Sequence, residues 1–155
     1  MLDICPEAPP QTPVLKGNKD NRDNILKLEK AISNEFSQDD VDKIYPVNHH
    51  FAPGAYAREI FIPKGHVVVG KIHRHAHLNI ISKGKVQVVT EEGKKTLEPG
   101  VFISPAGVKR AVYAIEDTTW TTIHVTEETD LKKIEDYVIA PSFDALNNDE
   151  KERLE

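Results

Sequence analysis

Three histidines alternate in the run Gly70-Lys71-Ile72-His73-Arg74-His75-Ala76-His77. Along an extended strand, alternate side chains point to one face, so His73, His75 and His77 can converge. Neutral imidazole is the commonest transition-metal ligand, and three on one face approach a facial triad. Such a site would take a divalent ion such as Fe, Mn, Ni or Zn. The competing reading is a strand with incidental histidines, or a hydrogen-bonded cluster without metal. Cys5 is the only cysteine, which excludes an intrachain disulfide and a thiolate zinc site. With no oxidised cysteine framework the expected compartment is the cytoplasm.

The elements that must position these histidines follow from periodicity. Residues 1–20 read as an irregular arm, because Pro6, Pro9, Pro10 and Pro13 deny it regular hydrogen bonding. Residues 21–55 read as an amphipathic helix and a connecting loop. Ile25, Leu28, Ile32 and Phe36 recur at helical spacing, and Asp20 or Asn21 can cap the helix. The loop, 37–55, carries His49 and His50. From Tyr56 the texture changes to short β-rich runs broken by Gly and Pro. Strands are expected at 56–62, 66–75, 77–82, 85–90, 94–97, 101–104, 108–115 and 119–126. Many short strands with such turns define an all-β sandwich or barrel over 56–126. Residues 127–155 hold a short helix near 130–137 and an acidic tail.

Two segments then resemble the cupin family. Its first motif is a glycine, His-x-His, a short gap, a glutamate, six residues and a glycine. Here Gly84 follows Leu78 to Lys83, and His77 stands at the glutamate position. His73 and His75 match the His-x-His pair if the gap is shortened; a longer gap puts Lys71 and His73 there instead. The second motif resembles Gly100-Val101-Phe102-Ile103-Ser104-Pro105-Ala106-Gly107-Val108-Lys109-Arg110, with Arg110 where the family has its last histidine ligand. A guanidinium stays protonated and cannot ligate a metal at neutral pH. His124 is the expected substitute. If 108–115 and 119–126 pair as a hairpin about Asp117, Arg110 faces His124 across the strands. The alternative for His124 is a core histidine bonded to a neighbour. The resemblance implies an all-β, cupin-like double-stranded β-helix (a jelly-roll barrel) with an N-terminal and a short C-terminal helix. Weaker likenesses at 49–59 and 116–124 are to small cupin-like proteins encoded by bacteriophages.

The net charge of −5 argues against general nucleic-acid binding, and no apolar stretch is long enough for a membrane helix. Met1 to Pro6 has neither the basic nor the apolar part of a signal peptide. Residues 58–125 nevertheless carry 10 Lys/Arg against 6 Asp/Glu, while the flanks carry 10 against 19. The basic middle suits a small anionic ligand, with Arg58 and Arg110, and Lys71 as a further candidate, forming a carboxylate or phosphate clamp. Open metal positions would suit dioxygenase-type or Lewis-acid chemistry. The rival expectation is a non-catalytic small-molecule binder or an assembly module. A homodimer is expected in either case, since exposed sheet edges must be covered.

Overall fold

The computed structural model describes residues 19–146. Most of the expected arm and the end of the acidic tail lie outside the described residues. Helix α1 (Lys19–Glu35) leads to helix α2 (Gln38–Ile44), then strands β1 (Val47–Ala52), β2 (Ala55–Ile62), β3 (Val67–Val69) and β4 (Ile72–His73). Next come β5 (His77–Lys83), β6 (Val86–Thr90), β7 (Gly93–Leu97), β8 (Gly100–Ser104), β9 (Ala111–Ala114) and β10 (Thr118–Val125). Helix α3 (Leu131–Val138) runs into β11 (Ile139–Ala140).

The strands form two antiparallel sheets, ordered β1-β2-β10-β5-β8 and β3-β9-β6-β7, with a small pair between β11 and β4. Apart from the β1–β2 and β6–β7 hairpins, the chain passes back and forth between the sheets, which is the jelly-roll pattern expected from the sequence. Ile62, Ile81, Val86, Val88, Val112, Ala114 and Trp120 fill the space between the sheets. At the other end of the barrel α3 lays Ile134 and Val138 against Tyr56.

Three expectations need correction. The loop at 37–55 holds α2 and β1. Ser37 caps α2 through a reciprocal pair with Asp40, a Ser-x-x-Asp signal present in the sequence. β1 forms a hairpin with β2 whose turn needs the positive φ of Gly54, +76°. The single strand expected at 66–75 is two, β3 and β4, with a bend at Arg74 and His75. The expected pairing of 108–115 with 119–126 does not form. β9 pairs with β3 and β6, whereas β10 pairs with β2 and β5. The short link 115–117 is therefore a barrel corner; Ile115 and Glu116 each donate a backbone hydrogen bond to the Lys85 carbonyl, at 2.8 and 3.1 Å.

α1 lies on β6 and β3 of its own barrel. Only Ile25 of its apolar stripe is deeply buried, and Leu28 and Phe36 stay exposed. Two ion pairs also join α1 to the barrel, Arg22 to Glu91 at 2.9 Å and Glu29 to Lys109 at 2.5 Å. On the outer face of the larger sheet, Val101 and Ile103 are 68% and 69% exposed. Across β5 they are the partners of Ile80 and Leu78.

Candidate metal centre

Strand register builds the site in two rows on the inner face of the larger sheet. Phe51, Tyr56 and His124 lie across from one another on β1, β2 and β10. On β5, His77 faces Ser104 of β8. The next row runs His49, Arg58, Thr122, Asn79 and Phe102. Period-2 alternation gives these side chains one face, buried at Tyr56, His77, Asn79, Ser104 and His124 and exposed at His49, Phe51 and Arg58.

His73 enters from β4, which is held in place by β11. The Arg74 amide donates to the Val138 carbonyl at 2.8 Å, and the Gly107 amide donates to the His73 carbonyl at 2.9 Å. The ring of His73 then lies 4.1 Å from that of His77 and 5.3 Å from that of His124, centroid to centroid. His77 and His124 are 5.3 Å apart. Three of the four candidate ligands thus come together. His75 does not join them, because the bend at 74–75 breaks the strand alternation on which its inclusion depended. Its ring packs beside Tyr137 at 4.9 Å.

The electrostatics favour the uncharged form of every ring. Burial pushes His73 down to about 3, helped by His77, His124, Arg110 and Arg58. Burial likewise takes His124 down to about 4, with His77 and Arg58 adding to the effect. His77 is also lowered, chiefly by burial. His77 Nδ1 sits 3.1 Å from the His75 carbonyl oxygen, so that nitrogen carries the proton and donates it. Its Nε2 then holds a lone pair, is buried, and has no hydrogen-bond partner among the described residues. An orphaned buried acceptor beside two more neutral imidazoles has the donor chemistry that divalent transition metals take. The rings are mutually tilted or stacked, at 21° to 37°. Among the described residues no group of three His, Cys, Asp or Glu is arranged so that it could hold a metal ion as it stands.

These depressed values carry a stability consequence. Between pH 6.5 and about 4 the unfolded chain binds protons that folded His73 and His124 refuse. Stability of the metal-free protein should therefore fall as pH drops below 6.5, by up to about 1.4 kcal/mol per pH unit for each such histidine. Urea midpoints between pH 7 and 5, above the range of most carboxylates, test this. His73→Asn should flatten the profile, and a wild-type midpoint constant over that range would contradict the assignment.

Arg110 reaches the interior from the other sheet. Its Nη2 donates to Ser104 Oγ at 2.5 Å, and its guanidinium lies 5.8 Å from the Trp120 ring centroid. Ser104 Oγ also accepts from Asn79 Nδ2 at 2.8 Å. Asn79 Oδ1 in turn accepts from Trp120 Nε1 at 2.9 Å and Thr122 Oγ1 at 3.2 Å. Sequence reasoning missed Asn79, Ser104 and Thr122. The available signal was a polar Asn79 two residues after His77, in phase with the inward side of an otherwise apolar strand. Arg58, opposite Thr122, is more exposed and stands at the mouth. Lys71 does not join the cluster: it is exposed and paired with Glu135 of α3.

Tyr56 also went unplaced from sequence. It is buried, and its hydroxyl is 2.6 Å from His49 Nδ1. Burial raises Tyr56 and lowers His49, so the phenol donates to a neutral imidazole. His49 is accordingly a strand residue on the site side, while His50 turns outward, 3.8 Å from Glu59. His66 is bonded to the Tyr45 hydroxyl at 2.8 Å.

An antiparallel jelly-roll barrel with histidines gathered on its inner face is the cupin fold, and this chain has it. A salicylate 1,2-dioxygenase from Pseudoaminobacter salicylatoxidans, in its adduct with gentisate, superposes with a TM-score of 0.51 at 12% identity. The match covers 79% of this chain and 36% of that one, so this chain spans about a third of the dioxygenase. A cupin-2 domain protein from Shewanella frigidimarina gives a TM-score of 0.45 at 14% identity, over 63% of this chain and 92% of that one. KdgF from Halomonas sp. gives 0.47 at 22% identity, over 64% and 93%. At these identities the likeness is one of fold. No family model and no curated protein matches the sequence. Among the described residues no helix is long and apolar enough to cross a membrane.

Proposed function

We propose that this protein is a metal-binding cupin that holds a divalent transition metal through His73, His77 and His124 and receives a small anionic ligand against Arg110 and Arg58. The observation that carries the reading is the set of three neutral imidazoles, His77 and His124 buried and His73 half-buried, with His77 Nε2 lacking any partner among the described residues. Fe, Mn, Ni and Zn all accept such donors. A bound divalent ion would supply Lewis-acid polarisation, and iron would add dioxygenase-type chemistry. The chain itself supplies the rest. Ser104 orients the Arg110 guanidinium, Asn79 fixes Ser104, and Arg58 adds positive charge at the mouth. Ile134 and Val138 pack on Tyr56 and close that end of the core with apolar side chains. The salicylate and gentisate named for the dioxygenase neighbour are aromatic carboxylates, which agrees with an anionic ligand class.

Metal content of the untagged full chain, by inductively coupled plasma mass spectrometry, tests the reading. Near-stoichiometric Fe, Mn, Ni or Zn is expected, and less than about a tenth of it in a His73→Ala/His77→Ala double variant. A wild type that stays empty after loading with each metal would defeat it.

The second reading is an assembly module without turnover, and the apolar outer face of the larger sheet favours it. Leu78, Ile80, Val101, Ile103 and Ile123 adjoin one another there, with Glu59 and Lys83 beyond them at the margin. An apolar centre with a charged rim is the anatomy of an isologous interface, so a second copy of this chain is the occupant. Light scattering on the full chain should give a dimer that Ile103→Lys converts to monomer. A monomeric wild type would remove this reading.

A further inference from the structure

Helix α1 meets the barrel through a face with little apolar content. Arg22, Ile25 and Glu29 lie at i, i+3 and i+7, so they share one side of the helix. Ile25 is deeply buried, but it belongs to neither apolar cluster of the barrel. Arg22 is paired with Glu91 and lies over the Phe143 ring at 3.8 Å. Glu29 is paired with Lys109 at 2.5 Å. The Lys109 side chain is only 7% exposed, and Glu29 is its one partner among the described residues. A buried ammonium depends on such a counterion, because burial denies it water.

Lys109 is joined in the chain to Arg110, and the two side chains reach opposite ways. Lys109 meets α1, whereas Arg110 Nη2 bonds Ser104 Oγ inside the barrel and its guanidinium lies near the Trp120 ring. Residues 105–110 form no strand. Their backbone is tied down by the Gly107 amide, which donates to the His73 carbonyl, and by the Gly70 amide, which donates to the Arg110 carbonyl, both at 2.9 Å. We propose that Glu29 is a positioning residue: by neutralising Lys109 it holds this segment in the setting that keeps Arg110 on Ser104. Without Glu29 the Lys109 ammonium swings to water on its long stem and draws the backbone of Arg110 with it. The N-terminal helix thereby sets the position of a guanidinium inside the barrel. That Arg110 receives an anion rests on the reading above; its coupling to α1 stands on these contacts, so the two fail separately.

Trp120 is the only tryptophan, and it is buried. It donates to Asn79, which bonds Ser104 in turn, so its fluorescence reports on the surroundings of Arg110. In the full chain, Glu29→Gln should shift Trp120 emission to the red and raise its quenching by acrylamide. Adding Lys109→Met removes the charge that needs Glu29 and should restore both to wild type, since no buried charge is then left unpaired. Amide hydrogen exchange at Gly70 and Gly107 should quicken at least about tenfold in Glu29→Gln and slow again in the double variant. Circular dichroism confirms that each variant is folded. Glu29→Asp keeps the charge at shorter reach, should give a smaller change in the same direction, and serves in place of Glu29→Gln if that variant does not fold. Emission unchanged in the Glu29 variant would overturn the coupling, whatever happens at Gly107, and leave the anion reading intact. A change that persists in the double variant would overturn it too, because loosening of α1 rather than the charge on Lys109 would then be acting.

Discussion

Gly84→Ala should destabilise the protein by about 2–5 kcal/mol, combining left-handed strain with overpacking at a site that cannot yield. Gly84 sits at φ +104°, and a Cβ built there would lie 2.3 Å from Thr118 Oγ1, 2.5 Å from the Asp117 carbonyl oxygen and 2.6 Å from Thr118 Cα. Two of these are backbone atoms at the corner where the chain passes between sheets. Thr118 is fully buried, and its hydroxyl donates to the Glu116 carbonyl at 2.8 Å. Retreat would therefore disturb the start of β10, which carries Trp120 and His124. Gly93 provides the control, at φ +126° with nothing within 4 Å of its built Cβ. Gly93→Ala meets the backbone strain alone. In thermal melts Gly84→Ala should lose on the order of 10 °C and Gly93→Ala only a few. Equal losses at the two positions would show that the close contacts cost nothing.

Asn79→Ala should cost about 3 kcal/mol or more. Asn79 is completely buried and ties together Ser104, Trp120 and Thr122. Truncation leaves Trp120 Nε1 and the Thr122 hydroxyl without their acceptor, and each buried orphan costs about 1–3 kcal/mol. The cavity adds to this. For a domain whose total stability is about 5–15 kcal/mol, that is a large fraction. Urea unfolding of Asn79→Ala, Trp120→Phe and the double variant gives the coupling. Because Trp120→Phe removes one of the orphaned donors, the double variant should lose clearly less than the two singles together. Strict additivity would mean that the Trp120–Asn79 hydrogen bond contributes little. Ser104 loses its Asn79 donor in the same variant, so the anchoring of Arg110 should loosen as well.

The barrel was legible because its signals are local. Glycine and proline punctuation at 63–65, 83–84, 91–93, 99–100 and 105–107 marks turns, and the β-branched runs between them alternate inward and outward. Observed strands agree with most of those spans. His73 and His77 survived both alignments of the first motif and both stand in the cluster. By contrast, α2 and β1 were overlooked although Ser37-x-x-Asp40 and the Pro53-Gly54 turn were there to be read. Short elements lack enough residues for their periodicity to stand out from a loop.

His124 reaches the cluster by a route other than a hairpin with the strand that follows Arg110. Arg110 and His124 are not hairpin partners; they reach the same interior from opposite sheets. Adjacent strands joined by a short link usually pair, and a jelly roll departs from that habit at its corners. His75 shows the converse. Alternation correctly describes an extended strand, but the hydrogen bond from the Arg74 amide to Val138 accompanies a bend just where the third histidine would have pointed inward.

The sequence by itself determined the class of fold, most of the strand spans, the scarcity of cysteine ligands and the nearness of His73 and His77. Each depends on side-chain type and on a repeat of two residues, which a strand expresses without knowing its neighbours. Only the tertiary structure decided that His124 completes the cluster, that His75 and Lys71 leave it, and that Asn79 and Ser104 hold Arg110. Those outcomes depend on which sheet each strand joins and in what register. They are set by contacts between residues tens of positions apart, and no local pattern encodes them.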